Sequence, residues 1–229
     1  MSSALGVDGK VRGRQRKKRA DLGSVRFSER DGQLLQLVGE QYAVSVDQLA
    51  RLVGRSYRTG RWLRDRWRQA GWIESRKLTS GGPSFLWLSG EGIRVAQSPY
   101  RRWRPNPGMA AHIEAVTEVR LLLEQELRRG SWLCERALAR SIYSQEVRPH
   151  LPDGLLVNGE EQIAVEVELS LKSRARLEAI IAELAQSYAQ VWYFASPPLL
   201  STLGELAGAA PWQNVSVYKY PPRPSDLRA

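Results

Sequence analysis

The segment between Ser56 and Gly71 constrains this chain more than any other, because one helix-length run carries two different faces. Leu63, Trp67 and Ala70 recur at spacings of four and three, which places them along one side of a helix. Arg58, Arg61, Arg64 and Arg68 recur at three and four on another side, with Asp65 the one acid among them. A merely solvated helix face usually mixes its charges. This one reads instead as a helix held by its tryptophan side, with its arginines turned to a partner. Ser56 reads as its N-cap and Gly71 as its stop.

The flanks complete a small domain. Ser28, three residues before Asp31, predicts a capping arrangement for a helix whose buried stripe is Leu34, Leu35, Leu37 and Val38. Ser45 predicts the cap of a second helix through Leu49, Leu52 and Val53, which Gly54 ends. After Gly71, residues 72–78 and 84–88 are strand-like and are joined by Thr79-Ser80-Gly81-Gly82-Pro83. Three helices and a hairpin in this order predict a winged helix-turn-helix over residues 26–97, with the arginine helix lying in a major groove. There Arg binds guanine edges bidentately or grips phosphates. Arg55, Tyr57, Arg58, Arg61, Arg64 and Arg68, with Arg76 and Lys77 of the wing, are the expected DNA contacts. A short helix is expected through Val95, then a linker over residues 98–108 with three prolines and three arginines, itself suited to phosphates.

Charge supports a polyanion partner. Residues 1–105 hold 22 Lys and Arg against 9 Asp and Glu, a net +13, whereas residues 106–229 hold 12 against 15, a net −3. Phosphate contacts release counterions and so add affinity. Residues 1–25, with Arg16, Lys17, Lys18 and Arg19, are too poor in apolar residues to fold alone. They read either as an arm that tracks phosphates or a minor groove, or as a tail without specific contacts.

Several classes are disfavoured. The single cysteine, Cys134, excludes an internal disulfide and fits a reducing, cytoplasmic setting. With only His112 and His150 beside it, a Cys/His zinc site is not expected, so any metal falls to carboxylates. No apolar run approaches the roughly 20 residues that span a bilayer, and no apolar stretch follows the charged N-terminus, so neither a membrane partner nor a signal peptide is expected. A glycine-rich phosphate loop, which an ATPase needs, is missing too.

The second half reads as helix, three strands, helix, strand, helix, strand. The segments are residues 109–128, 132–138, 151–157, 162–169, 173–187, 191–195, 199–207 and 215–220, followed by a frayed tail over 221–229. This order predicts a mixed sheet flanked by helices. In the third strand Ile163, Val165, Val167 and Leu169 alternate with Ala164, Glu166, Glu168 and Ser170. Two carboxylates on one strand face need a cation or hydrogen-bond partners if buried. Asp153, after Pro152, is placed to converge on them, and the set suits Mg²⁺, with Lys172 adding positive charge. The alternative is a solvated face or pairing with Arg174 and Arg176. Trp192 and Trp212 read as core residues before interface anchors.

Pro152-Asp153, the turn at Asn158-Gly159, Glu166-Val167-Glu168, and Glu118 on the preceding helix together resemble the PD-(D/E)xK nuclease fold. That resemblance makes Glu118, Asp153, Glu166, Glu168 and Lys172 the catalytic set, with Asp153 and Glu166 as Mg²⁺ ligands. Glu168 stands where the motif lysine is usual, and Lys172 is its expected substitute. Over a longer stretch the chain resembles the replication-relaxation family of actinobacterial plasmids and integrative elements. The resemblance rests on residues 56–59 through 71–73, His112 with Glu118-Val119-Arg120, Leu151-Pro152-Asp153-Gly154 and Val165-Glu166-Val167-Glu168.

The expected fold class is therefore α/β of the α+β kind: an N-terminal winged helix-turn-helix followed by a mixed-sheet, restriction-endonuclease-like domain over residues 109–220. The expected function is double-stranded DNA binding in mobile-element replication, transfer or transcriptional regulation, without a cofactor for binding. A homodimer and replication or transfer proteins are its expected partners. The alternatives are a Mg²⁺-dependent endonuclease or nickase, and an adaptor whose second domain binds a protein.

Overall fold

The computed structural model describes residues 25–142, 149–209 and 212–227 of the 229. The cluster Arg16, Lys17, Lys18 and Arg19 lies outside the described residues. Among those described, the protein is mixed α/β, with eight α-helices, a three-stranded sheet and a five-stranded sheet.

Helix α1, Glu29–Glu40, starts on a closed capping box: the Asp31 N–H donates to Ser28 Oγ at 3.2 Å and the Ser28 N–H to Asp31 Oδ2 at 3.0 Å. A two-residue strand β1, Val44–Ser45, leads into α2, Val46–Leu52, capped in the same way by Ser45 and Gln48. Helix α3, Tyr57–Gln69, lacks the expected side-chain cap. The Ser56 hydroxyl lies 3.4 Å from Thr59 Oγ1 and makes no bond to the backbone. Gly60 sets how closely α3 lies on α2, since a Cβ there would stand 2.6 Å from the Val46 carbonyl oxygen. Gly71, at φ +75°, reverses the chain after α3 as only glycine does readily. Strands β2, Ile73–Lys77, and β3, Ser84–Leu88, form an antiparallel hairpin; β1 adds to β3, and α4, Gly90–Val95, follows. Leu35, Val38, Leu49, Leu63, Trp67, Trp72 and Leu86 fill the space between helices and sheet. Burying each such side chain stabilises the fold by about 2 kcal/mol.

Helix α5, Ala110–Arg120, opens the second half and runs on as a widened π-type turn over Leu121–Glu126, which buries three consecutive leucines. The sheet has the order β4-β5-β6-β7-β8, built from Ser131–Cys134, Gly154–Asn158, Glu161–Glu168, Gln190–Ala195 and Val215–Lys219. The first three strands are antiparallel and the last three parallel. Helix α5 covers one face through Ala115, Val116 and Val119 against Ile163, Val165 and Val167. Helices α7, Arg174–Ser187, and α8, Leu200–Gly208, cover the other through Leu177, Ile181, Leu184 and Leu203 against Ala164 and Val191.

Three expectations change. The strand expected over 132–138 stops at Cys134 and turns into helix α6, Glu135–Ser141. Its edge-strand ladder ends where Cys134 meets Gly154, the first residue of β5, so nothing remains for residue 135 onward to pair with. The tail expected to fray is instead anchored: a 3₁₀ turn over Pro224–Leu227 places Leu227, 3% exposed, in the α5-side core. The linker is packed as well. Trp103 stands 6.0 Å from Trp87 and 6.3 Å from Tyr42, in an apolar cluster that also takes Phe85, Ala110 and Ile113. One core cluster thus includes residues from both sides of the linker.

Candidate nucleic-acid interface and carboxylate pocket

At about 100° per residue, the buried Gly60, Leu63 and Trp67 of α3 leave Arg58, Arg61, Asp65 and Arg68 facing outward. Arg58, Arg61 and Arg68 are exposed, and no ion pair or hydrogen bond holds them among the described residues. Arg55 and Tyr57 are exposed at the start of the helix. Arg64 is not part of this row. It sits on the flank with a side chain only 16% exposed, and its Nη2 lies 2.7 Å from the Asp65 carboxylate. On the hairpin, Arg76 lies 5.8 Å above the Trp87 ring and Lys77 is exposed. Arg68 and Arg76 line one shallow groove with Trp87 and Pro105.

The residue of α3 that sequence spacing missed is Arg66. It donates to both carboxylate oxygens of Asp31, at 2.6 and 2.8 Å, and to the Arg26 carbonyl, and it stacks on Trp62 and Trp72. Although burial opposes it, the hydrogen bonds from Arg66, Ser28 and Trp67 hold the Asp31 carboxyl well below its usual range. Arg66 therefore fixes the helix, whereas Arg58, Arg61 and Arg68 remain available.

The carboxylate pocket lies where β5 and β6 meet the ends of α5 and α7. Asp153 precedes β5; its Oδ2 accepts the Val167 N–H at 2.8 Å and its Oδ1 lies 2.8 Å from His112 Nε2 on α5. Glu166, 4% exposed, lies 3.0 Å from His150 Nε2. Glu168, 3% exposed, is paired with Lys172 four residues further on, in the loop between β6 and α7. Burial, with the Asp153 charge beside it, pushes the Glu166 carboxyl up to about 7. The hydrogen bonds to Asp153 and Glu166 raise His112 and His150 above their ordinary values. Tyr193 is beside Glu166 in the β6–β7 register and is 1% exposed, and its hydroxyl has no hydrogen-bond partner among the described residues. Burial and the charges of Glu166, Glu168 and Asp153 raise its pKa, which places the phenol among these acids.

Asp153, Glu166, Glu168 and Lys172 thus come together, and His112, His150 and Tyr193 join them. Glu118 goes elsewhere: its carboxylate takes Gln48 Nε2 at 2.9 Å and pairs with Arg51, so its bonds tie α5 to α2. Arg174 pairs with Glu178 and Glu205 and not with the strand acids. Among the described residues no three His, Cys, Asp or Glu side chains are grouped to hold a metal ion. A Mg²⁺ ion, which takes oxygen ligands, would compete here for oxygens already bonded: both of Asp153, by His112 and the Val167 N–H, and Oε1 of Glu166, by His150.

Among the described residues no helix is long and apolar enough to cross a membrane. In comparison with known proteins, the chain matches no family model and no curated sequence.

Proposed function

We propose that this protein binds double-stranded DNA, with residues 26–97 acting as a winged helix-turn-helix, α3 as the recognition helix and the β2–β3 hairpin as the wing. The observation that carries this reading is the outward row Arg58, Arg61 and Arg68, free of internal acidic partners among the described residues and continued by Arg76 and Lys77. Guanidinium groups on an exposed helix supply the bidentate donors that guanine edges and phosphates accept. The resemblance carried by residues 56–59, 71–73, 112, 118–120, 151–154 and 165–168 supports, as part of this reading, a kinship with the replication-relaxation family. Its role is then in the replication, transfer or transcriptional regulation of a bacterial mobile element.

The test is equilibrium binding to the element's own DNA across a salt series. Contacts to about six to ten phosphates lower affinity by about 10³–10⁵ between 50 and 200 mM salt. Arg58→Ala, Arg61→Ala and Arg68→Ala together should abolish site preference, and an unchanged footprint from that variant refutes the assignment.

A second reading, Mg²⁺-dependent DNA cleavage by the second half, is favoured by one observation: half-buried Asp153 and buried Glu166 lie near an unpartnered Tyr193 hydroxyl and Lys172. Bound there, Mg²⁺ would activate water and offset charge on a phosphate. Asp153 and Glu166 would hold it, while Glu168 orients Lys172 toward the same pocket. Plasmid or cognate DNA should then be nicked with Mg²⁺ or Mn²⁺, and Asp153→Ala and Glu166→Ala should stop nicking while binding persists. Intact DNA with the parent protein under both metals removes this reading.

A further inference from the structure

Arg136 of α6 is held between two tyrosine rings, with its guanidinium carbon 4.6 Å from the centre of Tyr42 and 4.8 Å from that of Tyr100. It donates to the carbonyls of Gly39 and Arg101, while Arg140 donates to the carbonyl of Pro99. Among the described residues no carboxylate accepts a hydrogen bond from Arg136, and its neighbour Glu135 is taken by the Tyr42 hydroxyl at 2.9 Å. Burial lowers the Arg136 pKa and outweighs the opposing charge of Glu135. The groove above it is lined by Tyr42, Pro99, Tyr100, Arg101, Arg136 and Arg140, and no acidic side chain lines it. Three carbonyls that would offer acceptors here are already covered by guanidinium donors. What remains is a concave surface of donors and rings, complementary to an anion.

The linker connects this groove with the α3 face. Arg102 pairs with Glu74 of β2, Trp103 packs on Trp87, and Pro105 lines the shallow groove of Arg68 and Arg76. Arg101 is four residues from Pro105, at most about 14 Å of extended chain. That is at most about four base pairs at 3.4 Å per step of one strand.

We propose that this groove is a second phosphate site, which takes the backbone of a DNA strand within about four base pairs of the α3 contact. The proposal rests on the α3 reading, and one experiment separates the two. Affinity is measured across a salt series on two duplexes, one ending at the α3 contact and one extended on both sides, for the parent and for Arg101→Ala with Arg140→Ala. On the extended duplex the double variant should lose roughly tenfold in affinity, and its slope of log affinity against log salt should fall by about 2, close to one unit per phosphate. On the short duplex parent and variant should agree. Arg101→Lys with Arg140→Lys, which keeps the charge, should recover most of the slope.

Equal behaviour of parent and double variant on the extended duplex overturns the groove assignment alone, provided that Arg58→Ala, Arg61→Ala and Arg68→Ala together abolish site preference on both duplexes. Equal loss on both lengths also overturns it, since the defect is then not in the flank. Saturable binding of inorganic phosphate, lost in the double variant without any flank dependence, moves the site to a free anion and likewise overturns it. If the parent binds neither duplex, the α3 reading and the groove fall together.

Discussion

The indole N–H of Trp67 donates to Asp31 at 2.8 Å, so the acid that caps α1 also holds the core tryptophan of α3. Both residues are buried, at 0% and 3% exposure, and Arg66 closes on the same carboxylate. The helix that carries the outward arginines is thereby keyed in rotation to the first turn of the domain. Asp31→Ala leaves an indole N–H and a guanidinium without their acceptor. The expected cost is about 3 kcal/mol, as for other broken buried pairs. Urea unfolding followed by far-UV circular dichroism measures it, and a loss under 1 kcal/mol would show that the keying is dispensable.

Asp65 stands among Arg58, Arg61 and Arg68 on the outward face, with its side chain 56% exposed. A carboxylate there repels phosphates. Asp65→Asn should raise affinity for non-cognate duplex roughly three- to fivefold at low salt, given that one charge pair at 4 Å in water is worth about 1 kcal/mol. Fluorescence anisotropy with a scrambled duplex reads this directly, and the gain should vanish as salt rises.

Stability should depend on pH through the carboxylate pocket. The Glu166 pKa is raised by burial, so the folded state binds a proton there that the unfolded state has already released. Its stabilising contribution is complete below the unfolded value of 4.5 and is lost as pH rises through about 7. The raised His150 belongs to the same hydrogen-bonded pair and adds no separate share. In chelator-treated buffer the melting temperature should fall between pH 5 and 8 by an amount on the order of 2 kcal/mol, roughly 4–8 °C for a chain of this size. Glu166→Gln should flatten that decline. An identical slope in the variant would assign the effect to other groups.

Glu118 separates a docking role from a chemical one. It joins α5 to α2 through Gln48 and Arg51, and Arg51 keeps a second partner in Glu126 at 3.0 Å. Glu118→Ala should therefore cost about 1 kcal/mol or less, because both charged partners are partly exposed. Any metal-dependent nicking should persist in it. Loss of nicking in a variant that melts like the parent would return Glu118 to the chemistry.

What could be read from the sequence was what is local. Leu63 and Trp67 announced the buried side of α3, and the alternation through Ile163, Val165 and Val167 announced a strand between two helical layers. Ser28 and Asp31 announced a cap. The second task of Asp31 was not legible, because its partners Arg66 and Trp67 lie 35 and 36 residues away. Spacing also put Arg64 in the arginine row and left Arg66 out of it, since a period of three and four cannot tell the centre of an exposed face from its flank. His112 entered only the zinc argument and the family resemblance and His150 only the former, and nothing adjacent in sequence connects them to Asp153 and Glu166. Tyr193 looked like one more apolar strand residue. The change of β4 into α6 depended on where β5 begins, which is a fact of pairing and not of composition.

The tryptophan wedged between Tyr42 and Trp87 has a consequence for any duplex that the protein grips. With Trp103 filling that gap, a single apolar cluster ties the sheet beside the arginine helix to the start of α5, which also carries His112 of the acidic pocket. On the two readings proposed above, a duplex seated on α3 would meet the pocket of Asp153 and Glu166 at a single phase of its helical repeat. Breaks made there would fall a constant number of base pairs from the recognised sequence, as one rung on a sequencing gel where a loosely tethered nuclease leaves a smear.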